Sequence, residues 1–438
     1  MKRRRRRRRR NQNRLKGFIL AVLLLLLAGT GAFLWKTALR RTEGHREEEP
    51  VKMEERLEDA GELPEQAEVP QESVDTGLEQ LGQEPTQEEL LGQRIEELLG
   101  EMTLEEKICQ LFILTPDQLT GVSPVTAAGE ATRSSLEKYP VGGLIYFSSN
   151  LVSEAQTKEM LEAVRDYGRE VEGLPLFLCI DEEGGRVARI GNHPAFSVEH
   201  VRPMGEITSQ EEAYEAGAAI GGYLRELGFN VDFAPDADVI TNEKNTVIGD
   251  RSFGNDPQKV TELAAAVTEG LHGEGILSAF KHFPGHGATK DDTHEGYAYS
   301  ERSYEELKSA ELVPFAAAQE CGVDMVMVAH ISLPEVTGDH TPSSLSHRMI
   351  TEILRGDLGY EGLVITDALN MGAIAKAYSS GEAAVRAVEA GVDLLLMPKN
   401  FSEACEGIQQ AVLEERISEE RLEESVRRIL RVKLLMEE

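Results

Sequence analysis

An α/β protein whose parallel strands close into a (β/α)8 TIM-type barrel is the fold this sequence predicts, and three observations carry the prediction. Eight short apolar runs recur along the chain: Leu111–Leu114, Gly143–Phe147, Leu176–Ile180, Val231–Ala234, Ile276–Phe280, Met325–Ala329, Leu363–Thr366 and Leu394–Met397. They are nearly continuous in hydrophobicity, as strands buried on both faces of a parallel sheet must be. Stretches with helical spacing separate them, at Glu154–Glu170, Gln210–Leu227, Pro257–His272, Tyr304–Gln319, Ser346–Leu354 and Glu382–Ala390. Polar residues follow the runs, on the face where such barrels place their working groups. An open doubly wound sheet is the alternative, but no Gly-x-Gly-x-x-Gly turn follows the first run.

Taken in order, the chain of 438 residues begins with a basic segment. Residues 1–41 hold 14 Lys or Arg and no acid, including the unbroken run Arg3 to Arg10. Gly17 to Trp35 is free of charge and rich in leucine, long enough to cross a bilayer at ~1.5 Å per residue. The excess of positive charge before it places the N-terminus in the cytoplasm and the remainder outside. A transmembrane anchor at residues 17–35 is therefore expected, with a cleaved signal peptide as the rival, since Thr30-Gly-Ala32 offers small residues. Residues 42–93 are dominated by Glu with Gln, Pro and Gly, which predicts a disordered acidic stalk. From Arg94 the pattern turns globular, and Thr103-Leu-Glu-Glu106 has the spacing of a capping box. The closing helix, about Ser418–Leu435, ends a single catalytic domain expected over 94–438.

Charge narrows the functions available. The whole chain has 46 basic and 77 acidic residues, so residues 42–438 keep 32 basic against 77 acidic, a net charge of −45. A nucleic-acid partner is excluded, because such a binder needs a basic face.

The most informative stretch is residues 281–294, Lys-His-Phe-Pro-Gly-His-Gly-Ala-Thr-Lys-Asp-Asp-Thr-His. It follows the run Ile276–Phe280, so Lys281 and His282 are expected at a strand's carboxyl end. Pro284, Gly285 and Gly287 then force an irregular loop. Three readings stay open for His282, His286, Asp292 and His294: catalysis, a zinc site, or a solvated loop with incidental histidines. Pro284-Gly285 breaks any helical pairing of the histidines, which counts against the metal.

This fourteen-residue pattern resembles the signature of glycoside hydrolase family 3, in its β-N-acetylglucosaminidase (β-N-acetylhexosaminidase) branch. Met102-Thr-Leu-Glu-Glu-Lys-Ile-Cys-Gln-Leu111 is similar to the start of that family's catalytic domain. The resemblance implies retaining hydrolysis of terminal β-linked N-acetylglucosaminides, cell-wall fragments among them, with no cofactor and no metal. It makes Asp367, in Gly-Leu-Val-Ile-Thr-Asp-Ala-Leu-Asn-Met-Gly, the nucleophile that forms a glycosyl-enzyme. It assigns His294 as acid/base, with Asp292 orienting the ring, in place of the usual second carboxylic acid. Asp181 and Arg189, in Ile-Asp-x-Glu-Gly-Gly-x-Val-x-Arg, would hold the sugar, as would Arg251 in Arg-Ser-Phe-Gly. Lys281 and His282 would donate to sugar oxygens. His286 and His330 match less informative positions and read as structural.

Cys109, Cys179, Cys321 and Cys405 are widely spaced in expected helices or strands and read as buried packing. A β-N-acetylglucosaminide phosphorylase on the same site is the nearest alternative. A tethered, catalytically silent wall-binding protein is the other, and the intact Asp367, Asp292 and His294 argue against it.

Overall fold

The computed structural model describes residues 85–289 and 298–436. The anchor at 17–35, most of the stalk, and both Asp292 and His294 lie outside the described residues. Among those described, no helix is long and apolar enough to cross a membrane.

Regular structure is already present before Arg94. Thr86 caps a helix over Gln87–Glu101: its hydroxyl accepts the Glu89 N–H, and the Glu89 carboxylate accepts the Thr86 N–H at 2.7 Å. The Glu-rich composition of 42–93 concealed this, because Glu88 and Glu89 complement the positive end of a helix as well as they suit a solvated stalk. The same helix buries Ile95 and Leu99. Its exposed face pairs Glu88 with Arg431 at 2.5 Å and Glu96 with Arg427 at 2.6 Å. The capping box expected at Thr103 is present, with the Glu106 carboxylate 2.8 Å from the Thr103 N–H.

The strands are β1 (Phe112–Leu114), β2 (Gly143–Ile145), β3 (Phe177–Ile180), β4 (Glu182–Gly184), β5 (Val187–Ala188), β6 (Val231–Asp232), β7 (Ala279–Phe283), β8 (Ala298–Tyr299), β9 (Met325–Val328), β10 (Ile331–Ser332), β11 (Leu363–Thr366) and β12 (Leu395–Leu396). Five of them form a parallel sheet in the order β12-β1-β2-β3-β6, and three more a parallel sheet in the order β11-β9-β7. Parallel bridges Val231–Leu277 and Asp236–Lys281 connect the β6 edge with the chain of β7. Another, Ile365–Leu394, connects β11 with the residue before β12. These eight strands are buried along their whole length, as the continuous apolar runs require. The remaining pairs are short: β4 with β5 antiparallel, and β8 with β10 parallel.

Three expectations shift. β7 runs from Ala279 to Phe283, so Lys281 and His282 lie within the strand and the loop starts at Pro284. Periodicity could not see this, because Lys281, which pairs with Met327, and His282, which the register with β9 skips, interrupt the apolar run. The helix expected over Tyr304–Gln319 is broken into Tyr304–Ser309 and Val313–Ala316. The break at Ala310 turns Glu311 inward, where it is buried and takes Arg302 Nε at 3.0 Å and the Thr241 hydroxyl at 2.5 Å. The segment Arg348–Asp357 is a π-helix, beginning two residues after the expected Ser346. All four cysteines are free; Cys109 and Cys179 are buried as expected, but Cys321 sits in a turn and both it and Cys405 are partly exposed.

Candidate active site

The site begins where β3 ends. Asp181 follows Ile180, and its half-buried carboxylate takes Lys281 Nζ on one oxygen at 3.0 Å and Arg189 Nη2 on the other at 3.3 Å. Arg189 returns to Asp181 because the chain turns tightly between them. The buried Glu182 carboxylate accepts the backbone N–H groups of Arg189, Ile190 and Gly191 and the Tyr223 hydroxyl, at 2.5, 2.9, 2.7 and 2.9 Å. Four donors on one carboxylate offset the burial that pushes its pKa up. The Arg189 guanidinium lies over the Phe147 ring, 5.5 Å from its centre.

Glu183 is the hub. It is fully buried, holds Arg251 through two hydrogen bonds at 2.7 and 2.8 Å, and takes Lys281 Nζ at 2.6 Å. Burial works against its charge, but Arg251 and Lys281 outweigh it and hold the carboxyl well below the ordinary range. Burial likewise opposes the charge on Lys281, and Asp181 and Glu183 reverse it, so the ammonium stays protonated. A buried charge is tolerable only when so paired.

β6 leads into Asp232-Phe-Ala-Pro-Asp-Ala-Asp238, and these three aspartates form the floor. Burial raises the pKa of each, that of Asp236 to about 7 with Asp238 adding to the effect. Asp238 holds His282 Nδ1 at 2.8 Å and accepts the His286 backbone N–H. Asp236 forms an ion pair with Arg251 at 3.4 Å, too long and poorly aligned for a good hydrogen bond. His282 is pushed down to about 4, by burial first and then by Arg251, so its ring is neutral near pH 7.

The loop after β7 is strapped to the chain that follows β6. Asn245 Nδ2 donates to the His286 carbonyl at 2.8 Å, the Asn242 N–H to that of Gly287 at 3.1 Å, and Asn242 Nδ2 to that of Thr289 at 3.0 Å. Gly287 is required there, because a Cβ would lie 1.9 Å from the Val239 carbonyl oxygen. Gly285, with φ of +124°, packs on Glu311, whose Cβ would be 2.5 Å from any side chain at that position.

Asp367 stands one residue past β11, half-buried, with its N–H donating to the Val328 carbonyl and one oxygen accepting the Ala368 N–H at 2.7 Å. The fully buried His330 supports this turn: its Nε2 meets the Ala368 carbonyl at 3.0 Å and its Nδ1 the Ser344 hydroxyl at 2.7 Å. The Asp367 charge favours protonation of both the His282 and His286 rings.

Of the residues singled out from sequence, Asp181, Arg189, Arg251, Lys281 and His282 are thus joined by direct contacts or shared partners, with Asp367 beside them. Asp292 and His294 lie outside the described residues. Sequence reasoning passed over Glu182, Glu183, Asp236 and Asp238. The signal was present: a second and third acid directly after Asp181, and aspartates spaced by two, which share one face of an extended chain.

Among the described residues, the donors suited to a metal are Asp236, Asp238 and His282, whose ligand atoms lie within 4.8 Å of one another. They are already turned to other work. Asp238 serves His282 and His286, and the Arg251 guanidinium occupies the space beside Asp236 and His282. A resident cation would have to displace that guanidinium, so the donor set does not fit one.

Residues 103–432 match the family described as Glycosyl hydrolase family 3 N terminal domain. Beta-hexosaminidase A of Pseudoalteromonas piscicida is 34% identical over 322 residues, which is 68% of this chain and 54% of that protein. A beta-hexosaminidase of Xanthomonas oryzae pv. oryzae is 35% identical over 291 residues, 63% of this chain and 83% of that protein. The structure of a glycoside hydrolase family 3 beta-N-acetylglucosaminidase from Paenibacillus sp. str. FPU-7 superposes with a TM-score of 0.71 at 37% identity, covering 77% of this chain and 64% of that one. The chain therefore spans about half the length of the Pseudoalteromonas protein and under two thirds of the Paenibacillus one.

Proposed function

The chain belongs to glycosyl hydrolase family 3, and from that premise we propose that it hydrolyses terminal β-linked N-acetylglucosamine residues with retention. The observations that support the proposal are the position of Asp367 one residue past β11 and the Asp181–Lys281–Glu183–Arg251 cluster, joined by ion pairs of 3.0, 2.6 and 2.7 Å. The cluster supplies what a sugar ring needs, fixed donors and acceptors for hydroxyl groups. Asp367, partly exposed, supplies a carboxylate to attack the anomeric carbon. His294, oriented by Asp292, gives a proton to the departing oxygen and then takes one from water, so the glycosyl-enzyme is released with the original configuration. Two carboxylic acids do this in most glycosidases; here an imidazole replaces one of them.

The eight parallel strands are read as a closed (β/α)8 barrel, which the bridges between β6 and β7 and between β11 and β12 support. On that reading Asp181, Lys281 and Asp367 stand at the carboxyl ends of three of its strands or just inside them.

The full-length chain is expected to release p-nitrophenol from its β-N-acetylglucosaminide much faster than from its β-glucoside. Absence of release from the former, or preference for the latter, sinks the reading. The N-terminal segment is proposed to anchor the enzyme with its catalytic domain outside the cytoplasm. Protease added to intact cells should then release an active fragment; activity that stays protected until lysis would count against this orientation.

A further inference from the structure

Two contacts fix the protonation of the His282 ring independently. Arg251 Nη2 lies 3.3 Å from His282 Nε2. A guanidinium has only donors, so this is a hydrogen bond only if Nε2 carries a lone pair. On the other side, Nδ1 lies 2.8 Å from the Asp238 carboxylate, which while ionised has only acceptors. The ring proton therefore sits on Nδ1. Asp238 is itself fully buried and tied down by the His286 N–H, so it cannot swing away.

We propose that Asp238 is a positioning residue that sets this tautomer, and that Arg251 and His282 together form a clamp for one sugar hydroxyl. A sugar hydroxyl enters by replacing the present 3.3 Å contact between Arg251 Nη2 and His282 Nε2, taking over that Nη2 hydrogen while Nη2 keeps its other bond to Glu183. Arg251 donates to the hydroxyl oxygen, and the hydroxyl donates its own proton to Nε2. Such a pair selects a group that is both acceptor and donor. It rejects one that only accepts, because the Nε2 lone pair is then left without a proton. His282 thereby acts as an acceptor, where the family resemblance had implied a donor. The inference rests on the proposed activity for its substrate and on geometry alone for its tautomer.

The test has two arms on the full-length chain. With histidines labelled by nitrogen-15, and His282 assigned by its loss in His282→Gln, the wild-type ring should show a protonated Nδ1 and an unprotonated Nε2. In Asp238→Asn an amide N–H can donate to Nδ1, and the proton should move to Nε2. In the kinetic arm, the 3-, 4- and 6-deoxyfluoro analogues of the aryl N-acetylglucosaminide are compared with the parent. One of them should lose roughly ten- to a hundredfold in kcat/KM with wild type. In Asp238→Asn the parent should lose a similar factor, mainly through KM, while that analogue loses little more. A proton on Nε2 in wild type, an unchanged tautomer in the variant, or no analogue losing more than a few-fold would overturn the proposal. If Asp238→Asn fails to fold, the wild-type resonances and fluorine scan still decide. A wild-type enzyme that does not cleave the parent at all refutes the activity instead, and the nitrogen resonances then judge the tautomer separately.

Discussion

Asp367→Ala is expected to abolish turnover of every aryl N-acetylglucosaminide, by roughly 10⁴- to 10⁶-fold, the scale on which removal of a covalent nucleophile acts. The reason is geometric as well as chemical. The Asp367 backbone is pinned by its N–H to the Val328 carbonyl, and the Ala368 carbonyl is held by His330, so the end of β11 fixes where this carboxylate stands. Glu183 and Asp181 are nearby, but both are committed to Lys281 and an arginine. The loss should be the same for good and poor leaving groups, because the bond to the anomeric carbon is never made. Folding should survive, since Asp367 is half-buried and its carboxylate accepts the N–H of its own neighbour Ala368. Near-normal turnover by a well-folded variant would remove Asp367 from the mechanism.

His294→Ala should give the second largest effect, and a different pattern. General acid–base help is worth roughly 10²–10⁴-fold, so poor leaving groups should lose about that much. A dinitrophenol needs no proton to depart, and its first step should be spared. Turnover then stalls at the glycosyl-enzyme, visible as a burst of phenol followed by a slow phase. Azide should restore the second step by replacing activated water, giving a β-glycosyl azide. Asp292→Ala should resemble a milder form of the same defect, since the ring remains without its orienting carboxylate. Equal losses for good and poor leaving groups in His294→Ala would refute the assignment.

Much of the strand and helix order was legible because each element announces itself locally. Leu363–Thr366 was found to the residue, since three apolar residues and a threonine stand between Gly362 and Asp367. The helix Gln210–Leu227 was also found to the residue, bounded by the Ser209 cap and Gly228. The misses have a common cause. The extension of β7 through Lys281 and His282, the break at Glu311, and the floor of Asp232, Asp236 and Asp238 all place charged or titratable groups inside the protein. Hydrophobic patterning assigns such groups to the surface. Only partners distant in sequence make their burial tolerable, as Glu183 does for Arg251, 68 residues away. The residues resembling the family's sugar contacts could be named one by one, but the acids that hold them could not, because nothing local marks an acid as the partner of a remote cation.

The helix Gln87–Glu101 bears on how the enzyme would withstand pulling. It runs antiparallel to the closing helix Glu419–Leu435, with Glu88 beside Arg431 and Glu96 beside Arg427. Tension arriving through the residues before Thr86 would reach the Glu88–Arg431 pair first, so the helix unzips turn by turn instead of sliding as a unit. Exposed pairs of this kind hold weakly, while Ile95 and Leu99 add about 1.5–3 kcal/mol apiece by burial. The seam is therefore held mainly by those two buried side chains, and it lies well before β1. Were the proposed anchor to pull on this end, the helix could yield as a shock absorber, lengthening the reach while the strands β3, β7 and β11 stay in register.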